Sequence, residues 1–242
     1  MNAIEIKNLT KQYKDVIAVD NLSLTIKQGE LLSLLGVNGA GKTTTIKMLS
    51  CLTEPTSGDA YLLGKSIRDN KDEIKSFIAV SPQETAVAPA LNVRENLELI
   101  CGIYGFSKEK TNDKIKDLGE LLDISSVMNK KAGKLSGGWQ RRLSIAMALI
   151  SEPQILFLDE PTLGLDVIAR SELWDVISLL KGKITIILTT HYMEEAEALS
   201  DRISIMKQGK LLVCDTPEAI KENAKENSIE KAFIKIVRDS KI

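Results

Sequence analysis

The chain has 242 residues, 43% of them hydrophobic, which is enough to bury one large core or a core carrying an inserted lobe. Its formal net charge of -1 argues against a polyanion such as nucleic acid as a partner. Cys51, Cys101 and Cys214 are odd in number and far apart, with no C-x-x-C pair. This argues against a cysteine metal site and leads us to expect buried thiols in a reducing compartment. The stretch Met1 to Leu9 lacks the basic-then-apolar order of a signal peptide, and no apolar run reaches the ~18 residues of a membrane helix. The expectation is a soluble, cytoplasmic protein that acts on a membrane only through another polypeptide.

Residues 4–9 and 16–26 alternate as strands, and 31–35, LLSLL, is an apolar run suited to a buried strand. That run leads into GVNGAGKTT, residues 36–44. Gly36, Gly41, Lys42 and Thr43 fill the template G-x-x-x-x-G-K-[ST]. A triphosphate needs many donors at close range. Gly36, Gly39 and Gly41 remove side chains from the loop and permit positive φ where it wraps the anion. The helix continuing from Thr44 to Leu49 turns free N–H groups and its positive dipole end toward the phosphates. Lys42 then reaches the β- and γ-phosphates, and the Thr43 hydroxyl binds Mg²⁺. Pro55, Ser57 and Gly58 break the chain, and strands follow at 60–63 and 77–80. The second ends at Ser81, Pro82, Gln83. The Gln83 side chain reads either as a contact to Mg²⁺ or the lytic water, or as a solvated loop residue.

From about Asn92 to Leu149 the pattern turns helical. Asn92 and Glu95 have capping-box spacing, Leu97, Ile100 and Tyr104 share a face, and Gly105 is a stop. Leu135 to Gly138, LSGG, precede a helix over Trp139 to Ile150. Ser136 suits an N-cap and the two glycines bare backbone N–H groups, so this is either a second anion-binding helix start or an ordinary one. One nucleotide loop with two phosphate-facing helix ends suits a pair of chains placed head to tail. After Pro153 strands return at 155–158, 184–188 and 203–206. ILFLDE, residues 155–160, delivers two carboxylates at the carboxyl end of a buried strand, where open α/β sheets bind ligands. Asp159 suits a Mg²⁺ shell and Glu160 a proton acceptor for attacking water; the other reading is a solvated pair before Pro161. His191, the single histidine, follows ITIILTT. It either holds the γ-phosphate and orients Glu160, or caps the helix Tyr192 to Leu199. Glu218 to Ile242 read as a small helix and strand. The alternation predicts a mainly parallel sheet flanked by helices, with a helical lobe inserted.

Together these motifs resemble the ATP-binding subunit of ABC transporters over about residues 4–215. GVNGAGKTT is similar to the Walker A loop, which makes Gly36, Asn38, Gly39, Ala40, Gly41, Lys42, Thr43 and Thr44 nucleotide contacts. ILFLDE is similar to Walker B, and LSGGW with Gln140 and Arg141 to the signature. Gln83 matches the Q-loop glutamine, Leu163 to Asp166 the D-loop, His191 the switch histidine, and Tyr13 in KQYKD the aromatic that stacks on adenine. The resemblance implies an α/β P-loop NTPase fold. A RecA-like core would span about 1–83 and 150–215, with an N-terminal antiparallel β subdomain, a helical lobe over about 84–149 and an extension over 216–242. It implies ATP as ligand, Mg²⁺ held by Thr43, Gln83 and Asp159, and catalysis by Glu160, His191 and Gln83. It implies a second ATPase subunit, expected to be a second copy. Ser136, Gly137 and Gly138 of one subunit would bind the phosphate held by Lys42 of the other, and Asp166 would act across the dimer.

The loop at Gln83 would contact a separate polytopic membrane permease, placing the subunit peripherally on the cytoplasmic face of the cell membrane. HYMEEAEALSDRI, with Arg141, Arg142 and Leu143, is similar to the multidrug and antibiotic exporters' ATPases. The expected function is therefore ATP hydrolysis that powers export of a drug, antibiotic, peptide or lipid-like substrate. Trp139 stands where that branch often has Met, Leu163 where a small residue is usual, and Val167 where Pro is usual; none of these removes a catalytic group. The competing reading is an ABC-type ATPase acting on ribosomes or DNA without a membrane partner. Such proteins usually carry two ATPase cores or long coiled-coil insertions, and this chain shows neither. A GTPase would need an N-K-x-D guanine reader, and the nearest string, Asn129 to Ala132, lacks the acid.

Overall fold

In chain order the elements are β1 (Asn2–Tyr13), β2 (Val16–Lys27), β3 (Leu31–Leu35), α1 (Lys42–Leu49), β4 (Ser57–Leu62), β5 (Lys65–Ser66), α2 (Lys71–Phe77) and β6 (Ile78–Ser81). Then come α3 (Val93–Ile103), α4 (Lys108–Leu121), α5 (Gly137–Leu149), β7 (Ile155–Asp159), α6 (Val167–Leu180) and β8 (Thr185–Thr190). The last are α7 (Met193–Leu199), β9 (Arg202–Lys207), β10 (Lys210–Asp215), α8 (Pro217–Ala224) and α9 (Ile229–Asp239). They come from a computed structural model that describes residues 1–240.

The strands form two sheets. One runs β2-β1-β4-β5 and its pairs are antiparallel. The other runs β10-β9-β3-β8-β7-β6 and is parallel except for the β9–β10 hairpin. Every residue of β3, β7 and β8 is buried. That is why these strands read as continuous apolar runs rather than alternations: helices cover one face of the sheet, and α1 with the antiparallel sheet covers the other. Each fully buried Leu, Ile or Phe contributes about 1.5–3 kcal/mol. The parallel register sets Leu35 beside Thr190 and Asp159 beside Thr189. The phosphate loop, the acidic pair and His191 therefore all leave the sheet at one edge. This is the α/β fold expected, with the antiparallel sheet on the N-terminal side and helices α3 to α5 inserted between β6 and β7.

Helix α3 begins with the expected capping box. Asn92 Oδ1 accepts from the Glu95 N–H at 2.8 Å, and Glu95 Oε2 accepts from the Asn92 N–H at 2.7 Å. Three expectations need correction. Phe77 ends helix α2 and does not start a strand, because β6 begins at Ile78. The segment after residue 216 is two helices, not a helix and a strand. Thr216 and Ser228 cap them, and Ile229, Ala232, Phe233, Ile236 and Val237 lie at helical spacing against Ile203 and Ile205. Lys241 and Ile242, the end of the expected extension, lie outside the described residues. Of the three free cysteines only Cys101 is buried; Cys51 and Cys214 are half-buried. Burial pushes all three thiols above their ordinary range. Among the described residues no helix is long and apolar enough to cross a membrane.

Candidate active site

A cleft of about 540 Å³ opens at the carboxyl edge of the parallel sheet. Residues 38–44 line it, together with Val16, Ile17 and Ala18 from β2 and with Gln83, Glu160, Leu163 and His191. The loop backbone forces glycine at two positions. At Gly41, φ is +102°, and a Cβ would sit 2.4 Å from the Ala18 carbonyl oxygen. At Gly36 a Cβ would sit 2.6 Å from the Met206 carbonyl oxygen. The loop is thus pressed between β2 and β9, and the Gly209 N–H bonds the Ala40 carbonyl at 3.0 Å. Gly41 is the N-cap of α1 and supplies no side-chain cap. The first-turn N–H groups keep their donor capacity, as an anion site at a helix start requires.

Lys42 is 4% exposed and folds back over its own loop, donating to the Gly36 carbonyl at 2.7 Å and the Val37 carbonyl at 3.3 Å. Its Nζ lies 3.4 Å from Glu160 Oε1. Thr43 donates its hydroxyl to Asp159 Oδ1 at 3.1 Å, and Thr189 donates to the same oxygen. The Glu160 N–H is shared by the Thr189 carbonyl at 3.1 Å and the Thr189 hydroxyl at 3.0 Å. That grip holds Glu160 in the left-handed region, with φ at +47°. Its other carboxylate oxygen lies 3.2 Å from His191 Nδ1, off the line of a hydrogen bond. Glu160 therefore spans the gap between the phosphate-loop lysine and the histidine at the end of β8.

The structure brings most of the expected residues to this cleft: Asn38 to Thr44, Gln83, Glu160 and His191 line it, Gly36 accepts from Lys42, and Asp159 meets Thr43 behind it. His191 does not cap the following helix; Tyr192 takes that position. Three expected elements stand apart. Tyr13 is 44% exposed and touches the cleft only through its hairpin partner Val16. Ser136 is the N-cap of α5, but its hydroxyl makes no capping bond. Gly137 and Gly138 pack beside Leu165 and Ala169, where a Cβ would come within 3.3 and 3.1 Å. Asp166 caps α6, accepting from the Ala169 N–H at 2.9 Å. The Ser136–Gly138 turn thus lies next to the 163–166 loop, outside the chain's own cleft. Sequence reading missed Thr189, whose only signal is its place at a strand end. It also missed Val16 and Ile17, large exposed apolar residues at the cleft.

Comparison with known proteins gives a consistent answer. The family described as ABC transporter matches residues 19–163. The probable multidrug ABC transporter ATP-binding protein YbhF of Escherichia coli K12 is 37% identical over 242 residues, which is 98% of this chain and 42% of that protein. The Nod factor export ATP-binding protein I of Burkholderia lata is 40% identical over 221 residues, 91% of this chain and 73% of its own length. Among solved structures, a dimeric ATP-binding cassette in a post-hydrolysis state, bound to ADP and phosphate, superposes with a TM-score of 0.78. It is 29% identical and covers 88% of this chain and 98% of its own. The chain spans less than half the length of the Escherichia coli relative.

Proposed function

The chain belongs to the ABC transporter family as an ATP-binding member, and on that premise we propose that it is an ATPase subunit powering a membrane exporter. The observation that carries this reading is the cleft itself. One sheet edge assembles a cradle in which a Cβ at Gly36 or Gly41 would collide with backbone, a buried lysine, a Thr43–Asp159 oxygen pair, and Glu160 between Lys42 and His191.

Lys42 and the α1 N–H groups hold the β- and γ-phosphates of ATP. The Thr43 hydroxyl and the Asp159 carboxylate are hard oxygen donors and suit Mg²⁺, with Gln83 as a further oxygen donor. When bound, Mg²⁺ neutralises charge that develops on the phosphates. Glu160 takes a proton from the attacking water, and His191 holds Glu160 in register and contacts the γ-phosphate. Tyr13 stacks on the adenine.

Ser136, Gly137 and Gly138 lie outside the chain's own cleft with their helix N-terminus uncapped. This supports head-to-tail pairing with a second copy, in which each turn binds the phosphate held by the other subunit's Lys42 and Asp166 acts across the interface. The dimeric structural neighbour points the same way. A second groove of about 460 Å³ runs beside Gln83, from Leu52 and Ile78 across Pro82 to Ile100, Ile103 and Tyr104. Ile103 is 72% exposed. Such an apolar trough, rimmed by Pro82 next to Gln83, suits a cytoplasmic segment of a separate membrane permease. The subunit would then sit on the cytoplasmic face of the membrane. Export, rather than import, rests on the two relatives named for multidrug and Nod factor export.

Substituting Glu160→Gln tests the chemistry. Hydrolysis should fall by about 10²-fold or more while ATP binding persists, measured as phosphate release and by nucleotide titration. Wild-type turnover in that variant would remove Glu160 from its role.

A further inference from the structure

Helix α5 starts at the Ser136–Gly138 turn, and about one turn later it takes hold of the segment that carries Gln83. Arg141 donates from Nη1 to the Pro82 carbonyl and from Nη2 to the Gln83 carbonyl, both at 2.7 Å. One turn further, the Ser144 hydroxyl meets the Ser81 hydroxyl at 3.0 Å in a buried pair. Three successive residues, 81 to 83, are thus fastened to one helix face. Arg141 is only 5% exposed, and its Nη1 and Nη2 donate to carbonyls, not to a carboxylate. Asp159 and Glu195 favour its charge through space, yet burial dominates and pulls the guanidinium below its ordinary range. Burying a cation without a directly bonded anion is costly to a fold. What it gains here is geometry: a planar fork with two donors fixes two consecutive carbonyls, which a lysine cannot do.

We infer that Arg141 is a positioning residue for hydrolysis: it clamps the 82–83 backbone to α5 and so sets where Gln83 stands relative to the Ser136–Gly138 turn. The inference rests on the functional reading above, in which Gln83 contacts Mg²⁺ or the attacking water. It assigns to α5 a specific task, that of carrying any displacement of its N-terminus to Gln83 as one rigid piece.

The test is a double-mutant cycle in the full chain, comparing wild type, Arg141→Lys, Gln83→Ala and the double variant. The readouts are kcat, the half-saturating Mg²⁺ concentration, and ATP affinity without Mg²⁺. Each single substitution should lower kcat by about tenfold and raise half-saturating Mg²⁺, with ATP affinity unchanged. Because Arg141 acts through Gln83, the double variant should match Gln83→Ala alone. Multiplication of the two effects on kcat, or an Arg141→Lys protein with wild-type kcat and Mg²⁺ dependence, overturns the inference. Should Arg141→Lys fail to fold, Ser144→Ala carries the test. It should lower kcat by about threefold in the wild type and not at all in the Gln83→Ala background; equal losses in both backgrounds overturn the clamp. Undiminished hydrolysis by Glu160→Gln would instead overturn the reading of the cleft, whatever the cycle shows.

Discussion

Glu160 occupies a backbone conformation that a non-glycine residue adopts at a cost of about 1–3 kcal/mol. Thr189 holds it there by bonding its N–H twice over. The strain turns the carboxylate away from the end of β7 and into the cleft, toward Lys42 and His191. Tyr13 presents the opposite situation, an expected contact that the structure leaves at the margin with 44% of its surface exposed and the Lys11 ammonium 4.9 Å from its ring centroid. If the ring stacks on adenine, Tyr13→Ala should weaken nucleotide affinity by about 1–3 kcal/mol, read by fluorescence or calorimetric titration. An unchanged Kd would discard the stacking role and transfer base contact to Val16 and Ile17, which line the cleft directly.

Among the elements, α3 is the one whose start is most fully specified by local chemistry. Its reciprocal cap predicts that Asn92→Ala lowers stability by about 1 kcal/mol, visible as a fall in Tm. A thermal transition identical to wild type would mean that the neighbouring bonds of Asn96 to the Ala88, Leu91 and Asn92 carbonyls suffice alone. Elements built on a strong local signal were legible in the sequence: β3, β7 and β8 as buried apolar runs, α3 from its cap, the phosphate loop from its glycines. Elements without one were not. Helix α2 buries a single residue, Ile74, so it has no apolar period to detect. Helix α9 is an exception: the Ser228 cap and the helical spacing of Ile229, Ala232, Phe233, Ile236 and Val237 were there to be seen, but its β-branched residues suggest a strand. The pairing of Thr189 with Asp159 and Glu160 depends on the register between β7 and β8, which no local pattern encodes. The family resemblance supplied roles for Gln83 and Tyr13 that spacing by itself left open.

At the scale of the whole molecule, the cleft and the Ser136–Gly138 turn stand apart, the turn beside Leu165 and Ala169, so under the proposed pairing neither chain completes a site alone. Specific ATPase activity should therefore rise with protein concentration and approach a plateau as pairs form, measured by phosphate release across a dilution series. Constant specific activity down to concentrations where sedimentation finds monomers alone would refute pairing. The phosphate loop, by contrast, is shaped within one chain. It is wedged between the Ala18 and Met206 carbonyls and tied to Gly209. If nucleotide binds there as proposed, such anchoring would let fuel enter and spent product leave with little energy consumed in ordering the cradle, and the swing that does mechanical work would fall to the parts around it.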